Sequence, residues 1–189
     1  MKAMALLAAF ALGACAHAHE ARARYQVDHA FSVGLERAWA DASMNAAPRL
    51  SRHVHLFTIH GPALESLYLV GGLKSGDPLW TPPHGDEYPR YHADFSRSEI
   101  VEFVNASLAA RGYVAVTPHN VRPAALAGQD GVRFDIEMQT ADGLDVSGVA
   151  LAAQSGDRLN LILFAAPREH FYPALMPEID RMLIAAASG

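Results

Sequence analysis

The chain has 189 residues, a net charge of −5 and one cysteine. This length is typical of a single domain, and a lone cysteine excludes an internal disulfide. The cations are scattered along an acidic chain. This argues against nucleic acid as a partner, because phosphate binding needs a clustered basic surface.

The N-terminus has the pattern of an export signal. Lys2 precedes an apolar stretch over residues 3–12, far shorter than the ~20 apolar residues that span a bilayer. The run Leu12-Gly13-Ala14-Cys15 then resembles a bacterial lipobox. The resemblance implies cleavage before Cys15, which would carry a diacylglycerol anchor. We therefore expect a signal peptide over residues 1–14, a lipidated tether over 15–24 and one globular domain over 25–189.

The residues after the cysteine leave two locations open. The residue directly after the cysteine, Ala16, is not aspartate, and in this the chain resembles lipoproteins that Gram-negative bacteria sort to the outer membrane. This implies an outer-membrane lipoprotein that faces the periplasm and is attached to the membrane by the lipid anchor at Cys15. Ala16-His17-Ala18 is also a small-x-small cleavage site. Cleavage after Ala18 would instead release a soluble periplasmic protein.

Strands are predicted in the N-terminal half. Residues 31–35 and 54–59 have strand composition, and a third strand is expected over 64–73, ended by the pair Gly71-Gly72. The stretch from 74 to 94 holds four of the eleven prolines and predicts a long exposed loop.

A helix is predicted to follow this loop. Ser96 and Glu99 have the spacing of a capping box, in which each side chain accepts from the other residue's backbone amide. Apolar residues then follow with helical spacing, and Gly112 supplies a left-handed residue for the end of the helix.

Three strands and a closing helix complete the chain. Residues 132–139 alternate apolar and polar, which predicts a half-buried strand. Turn signals at 142–143 and 155–157 separate it from two further strands, so we expect an antiparallel three-strand meander. The final helix should begin near Pro177, since proline cannot donate a helical hydrogen bond. Together these elements predict an α+β fold, an antiparallel sheet covered by helices.

The stretch from 96 to 187 resembles the PsbP-like α/β/α sandwich of small exported bacterial proteins. The resemblance rests on an early Phe31-Ser32-Val33 strand with Trp39 soon after, the hairpin at an Asp-Gly turn, and Ala166-Pro167 before the tyrosine-containing start of the last helix. It implies accessory or binding roles and brings no catalytic residues. The whole chain also resembles small proteobacterial lipoproteins.

Three histidines are the candidates for a metal site. His53 and His55 are two residues apart in a predicted strand and should share a face, with His60 just beyond its end. Zinc generally needs a third or fourth protein ligand and an oriented second layer of contacts, and no HExxH pattern is present. Structural or solvated histidines are the alternative interpretation. GxSxG and the phosphate-loop motif are also absent, so we predict no catalytic residue and no cofactor.

Aromatic residues mark two candidate recognition segments, since aromatic residues and arginine are enriched at binding hot spots. If the two segments meet, they could line a recognition pocket; alternatively, the aromatics pack as part of the core. The candidates are Trp80, Tyr88, Arg90 and Tyr91 in the loop, and His170 and Tyr172 before the last helix.

These observations favour a non-enzymatic envelope lipoprotein that binds an unknown envelope protein or small ligand. One alternative is a metal-binding protein that uses the three histidines. Another is a carrier of a small apolar ligand, for which the alanine-rich strand over 149–153 would leave room between sheet and helix.

Overall fold

The computed structural model describes residues 23–46, 49–81 and 87–187. The expected signal peptide, Cys15 and most of the expected tether lie outside these residues. The first strand begins at Ala23, two residues before the expected start of the domain.

Nine strands form two antiparallel sheets in the described part of the chain. A two-stranded hairpin pairs β1 with β2, and a seven-stranded sheet has the order β3-β4-β5-β9-β8-β7-β6. The strands are β1 (Ala23–Val27), β2 (Phe31–Leu35), β3 (Ala40–Asp41), β4 (Val54–Thr58), β5 (Ser66–Lys74), β6 (Val114–Leu126), β7 (Gln129–Gln139), β8 (Asp145–Ser155) and β9 (Arg158–Pro167), with helices α1 (Arg97–Ala110) and α2 (Phe171–Ala186).

One face of the large sheet is covered by α1, and we call it the α1 face. The predicted capping box starts this helix: Ser96 Oγ accepts from the Glu99 amide at 3.3 Å, and Glu99 Oε2 accepts from the Ser96 amide at 2.7 Å. Ile100, Val104 and Leu108 lie along the buried side of the helix, as their spacing predicts. They share a core with sheet residues such as Phe134.

The opposite face, the α2 face, is covered by α2 and by the β1–β2 hairpin. Val27, Val33, Leu175 and Ile179 pack there against sheet residues such as Phe164. The molecule is therefore a three-layer sandwich with two cores, one on each side of the sheet.

A buried carboxylate connects the hairpin's exit to α2. Glu178 is 3 % exposed, and its Oε1 accepts from the Trp39 indole at 2.9 Å and from the Glu36 amide at 3.2 Å. Arg37 Nε lies 3.0 Å from the other carboxylate oxygen. These contacts fix the segment that follows β2 onto the helix, because a buried carboxylate needs its partners in place.

The expected three-strand meander is a four-strand meander in a larger sheet, because β6 precedes β7. β6 is the outer strand and contains two prolines, Pro118 and Pro123. Its register with β7 shifts twice, and Ala115 and Asn120 adopt left-handed φ values of 53° and 51°. Edge strands tolerate proline and bulges, which explains why a stretch without clear alternation still forms a strand.

Gly71 and Gly72 do not end β5; they lie inside it, where the register with β9 shifts between Val70 and Leu73. Gly72 has a φ of +74°. Its amide donates to the buried Asn160 side chain at 2.9 Å, which satisfies a donor that the irregular ladder leaves unpaired. A Cβ on Gly71 would lie 2.8 Å from the Val27 carbonyl oxygen, so glycine is required where the hairpin meets the sheet.

The last helix begins earlier than predicted, at Phe171, and Pro177 lies inside it. Pro177 costs one hydrogen bond in the interior of the helix. Burial of Leu175 and Ile179 on either side of the proline offsets this cost, because both side chains are at most 1 % exposed.

Candidate functional site

Trp80 and Tyr91 are not part of a recognition surface, because both are buried in the core on the α1 face, at 1 % and 0 % exposure. Trp80 forms a bridge with Leu50, and its ring meets the Tyr68 ring edge to face at 5.4 Å. The Arg111 guanidinium lies 5.8 Å from the centre of the indole. The alternative weighed from sequence, aromatics packed into the core, is the one observed for these two residues.

Tyr91 is the second buried aromatic residue of the predicted loop over 74–94, after Trp80. Its amide donates to the Asp77 carbonyl at 3.0 Å, and its carbonyl accepts from the Gly76 amide at 2.7 Å. The Gln154 side chain donates to its phenol oxygen at 2.9 Å. Burial raises the pKa of the Tyr91 phenol above its ordinary value, because the charged form loses its contact with water.

The second aromatic cluster lies on the α2 face, so the two segments do not meet. Tyr172 stacks on Phe164 with ring centres 5.9 Å apart, and its hydroxyl donates to the Gly148 carbonyl at 3.4 Å. Burial, reinforced by Asp135 and Asp180, raises the pKa of Tyr172 to about 12. His170 is exposed, and its ring contacts Phe171. The condition for a recognition pocket built from both segments, that the two segments meet, is therefore not met.

Three cations that are far apart in sequence line one cleft, which we call the cationic cleft. Arg52 precedes β4, Lys74 ends β5, and Arg90 precedes the buried Tyr91. The cleft has a volume of about 480 Å³, within the range of roughly 300–1,000 Å³ that is usual for small-ligand sites. Its other lining residues are Ser51, His53, Asp77, Pro78 and Thr81.

Positive charge exceeds negative charge in the cationic cleft. Asp77 is the one carboxylate among its lining residues. Arg90 donates to the Gly76 carbonyl at 2.7 Å, so its guanidinium is held in place but not neutralised. Among the described residues, neither Arg52 nor Lys74 pairs its side chain with a carboxylate.

His53 and His55 share a face, as predicted, but their common partner is Asp28 and not His60. One carboxylate oxygen lies 3.3 Å from His53 Nδ1, and the other lies 3.1 Å from His55 Nε2. Tyr25 contacts the remaining nitrogen of His55 at 3.2 Å. The two imidazoles therefore share one aspartate, which lies beneath the β1–β2 hairpin.

His60 belongs to a separate loop contact. Its Nδ1 lies 3.2 Å from the buried carboxylate of Glu65, which also accepts from Thr58 Oγ1 at 2.9 Å. No group of three histidine, cysteine, aspartate or glutamate side chains within the described ranges is arranged to hold a metal ion.

The alanine-rich strand does not open a pocket to solvent. Ala150 and Ala152 are fully buried in the core beneath α1, and Ala153 is fully buried on the other face. No helix in the described part of the chain is long and apolar enough to cross a membrane.

Sequence reasoning identified Arg90 but missed Arg52 and Lys74. The missing information was the pairing of β4 with β5, in which Val54 lies opposite Val70, so that the start of one strand lies beside the end of the other. Hairpin pairing of two predicted neighbouring strands is the signal that could have brought Arg52 near Lys74.

No protein-family model and no curated sequence matches the chain. Among solved structures, the chain is similar to the solution structure of cyanobacterial PsbP (CyanoP) from Synechocystis sp. PCC 6803. The TM-score is 0.55 at 14 % identity, over 93 % of this chain and 96 % of that chain. This similarity shows an α+β fold of the PsbP-like type, with a sheet larger than the three strands expected from sequence.

Proposed function

We propose that the protein is a non-enzymatic binding module of the bacterial envelope, anchored in the outer membrane through Cys15 and facing the periplasm. The lipobox-like run Leu12-Gly13-Ala14-Cys15 supports the anchor. The PsbP-like fold supports a binding or accessory role by analogy at the level of the fold alone. The partner is an envelope protein or a small ligand.

The observation that carries this proposal is the position of the cationic cleft relative to the start of the domain. The middle residue of β1, Tyr25, lies over β4 and packs on Phe57 with ring centres 4.7 Å apart. β1 ends where Asp28 contacts His53, a residue of the cleft. A five-residue strand is about 16 Å long, so the chain enters the domain at the end away from the cleft. A tether that continues away from the domain in the direction of β1 would leave the cleft accessible.

The test is Cys15→Ala with membrane fractionation. The wild-type chain should sediment with the outer membrane, and the variant should lose its anchor. Mass spectrometry of the wild-type N-terminus should show a lipid-modified Cys15. An unmodified N-terminus at His19 would contradict the anchor and support cleavage after Ala18. Unchanged sedimentation of Cys15→Ala would contradict it as well.

The metal-binding and apolar-carrier alternatives have less support from the geometry. His60 is separated from His53 and His55, which instead share Asp28. The alanines that would make room for an apolar ligand are closed to solvent. Stoichiometric zinc or copper in protein purified without a histidine tag would favour the metal alternative, and co-purified lipid seen by native mass spectrometry would favour the carrier.

A further inference from the structure

The cationic cleft concentrates positive charge on a chain whose net charge is negative. Arg52, Lys74 and Arg90 line it together with the single carboxylate of Asp77, whereas the whole chain has a net charge of −5. Like charges that share a cleft repel one another and are stabilised by a counter-charge. Among the lining residues, three cations therefore stand against one carboxylate, and Asp28 pairs with His53 at 3.3 Å.

The backbone beneath these cations is held by hydrogen bonds. The Ser51 amide donates to the Leu79 carbonyl at 3.2 Å, and the Ser51 hydroxyl donates to the Pro78 carbonyl. The Asp77 amide donates to the Lys74 carbonyl at 3.0 Å. Arg90 is fixed by its own contact with Gly76 and by the buried Tyr91 that follows it. The cations therefore project from a preorganised frame, which lowers the entropic cost of binding a ligand.

From this arrangement we infer that the cationic cleft binds a small anion with at least two negative charges, a phosphate or a dicarboxylate. Arginine provides a planar pair of N–H donors that matches both groups, and lysine contributes a compact charge. The inference deepens the proposed function, on which it rests in treating the protein as a binding module, and names the ligand class of the cleft.

The test is calorimetric titration of the full chain in non-ionic detergent, with inorganic phosphate in one arm and succinate in the other, at low ionic strength. Lys74→Gln and Arg52→Gln should each weaken binding by about tenfold, because each removes a charge-assisted contact. Asp77→Asn should tighten binding several-fold, since it removes the opposing charge. The arm that binds identifies the source of the negative charge.

The matched control is Arg168→Gln, which changes the net charge equally but lies on the α2 side of the sheet, at its other end. It should leave the affinity unchanged. Lys74 is exposed and outside the core, so thermal unfolding of Lys74→Gln should match wild type. Equal weakening by Arg168→Gln and Lys74→Gln would overturn the inference, as would the absence of binding in both arms. Anion binding with unchanged sedimentation of Cys15→Ala would refute the anchor and leave the cleft intact.

Discussion

The two faces of the large sheet are covered by different kinds of structure. On the α1 face, one helix is joined by residues 75–81 and 87–96, which form no helix or extended strand and are held by the buried Trp80 and Tyr91. The α2 face is covered by the β1–β2 hairpin and by α2, and Glu178 connects the two. Both faces have apolar cores. The difference teaches that a segment without helix or strand needs large aromatic anchors, whereas the hairpin and α2 add a buried polar contact and a close backbone approach to their apolar packing.

The largest effect is expected from Trp80→Ala on the α1 face. Truncation of a fully buried aromatic side chain should lower the free energy of unfolding by about 3–5 kcal/mol. Chemical denaturation measures this loss. Tyr88→Ala is the matched control, because Tyr88 is only half-buried in the same segment. A loss for Trp80→Ala no larger than for Tyr88→Ala would show that the segment has other anchors.

A smaller effect is expected from Glu178→Ala on the α2 face. The Trp39 indole and the Glu36 amide both lose their acceptor, which should cost about 2–3 kcal/mol. Arg37→Gln should cost less than Glu178→Ala, because Arg37 is half-exposed and the Trp39 indole and the Glu36 amide still donate to the carboxylate. Comparable losses for the two variants in denaturant titrations would mean that the ion pair, and not the buried acceptor, joins the hairpin to α2.

Close backbone approach on the α2 face is tested by Gly71→Ala. The added methyl group would meet the Val27 carbonyl oxygen and push the hairpin from the sheet, at a cost of about 1–3 kcal/mol. Gly34→Ala in the hairpin itself is the control, since a Cβ there would meet no atom within 4 Å. Hydrogen exchange of the β1 amides should accelerate in the first variant alone. Unchanged exchange in Gly71→Ala would contradict the close approach.

The smallest effect is a pH dependence on the α2 face. The pKa of Tyr172 is about 12 in the folded protein, above its ordinary value of 10.0. The folded state thus holds the proton more tightly, so its stabilising contribution is complete below pH 10 and is lost as pH rises towards 12. With allowance for the partial exposure of Tyr172, the free energy of unfolding should fall by on the order of 1–2 kcal/mol over this pH range. Tyr172→Phe should flatten this decline in unfolding experiments, and an identical decline would contradict the assignment.

Much of the fold could be predicted because its signals are local. The capping box at Ser96 and Glu99, the alternation within β7 and the turn at Gly143, which has a φ of +88°, each depend on neighbouring residues. The predicted start of the final helix at Pro177 is wrong. The helix continues through the proline because burial of its apolar side chains outweighs the loss of one hydrogen bond.

The candidate site could not be predicted in the same way. The proximity of Arg52 to Lys74 depends on the register in which two neighbouring strands pair. The burial of Trp80 depends on its contacts with Leu50 and Tyr68. A proline-rich segment has the composition of an exposed loop whether or not its aromatics reach a core. Of the three cations in the cleft, Arg90 alone was named from sequence, because its aromatic neighbours marked the segment.

The outer strands of the large sheet also affect how the protein behaves among copies of itself. One edge is the two-residue β3, and the other is the bulged, proline-containing β6. Neither edge offers a long regular row of unpaired amides, which is what strand-to-strand polymerisation requires. Under the proposed anchoring at Cys15, copies would meet repeatedly in two dimensions, and blunted edges would let many of them share one membrane patch without joining into fibres.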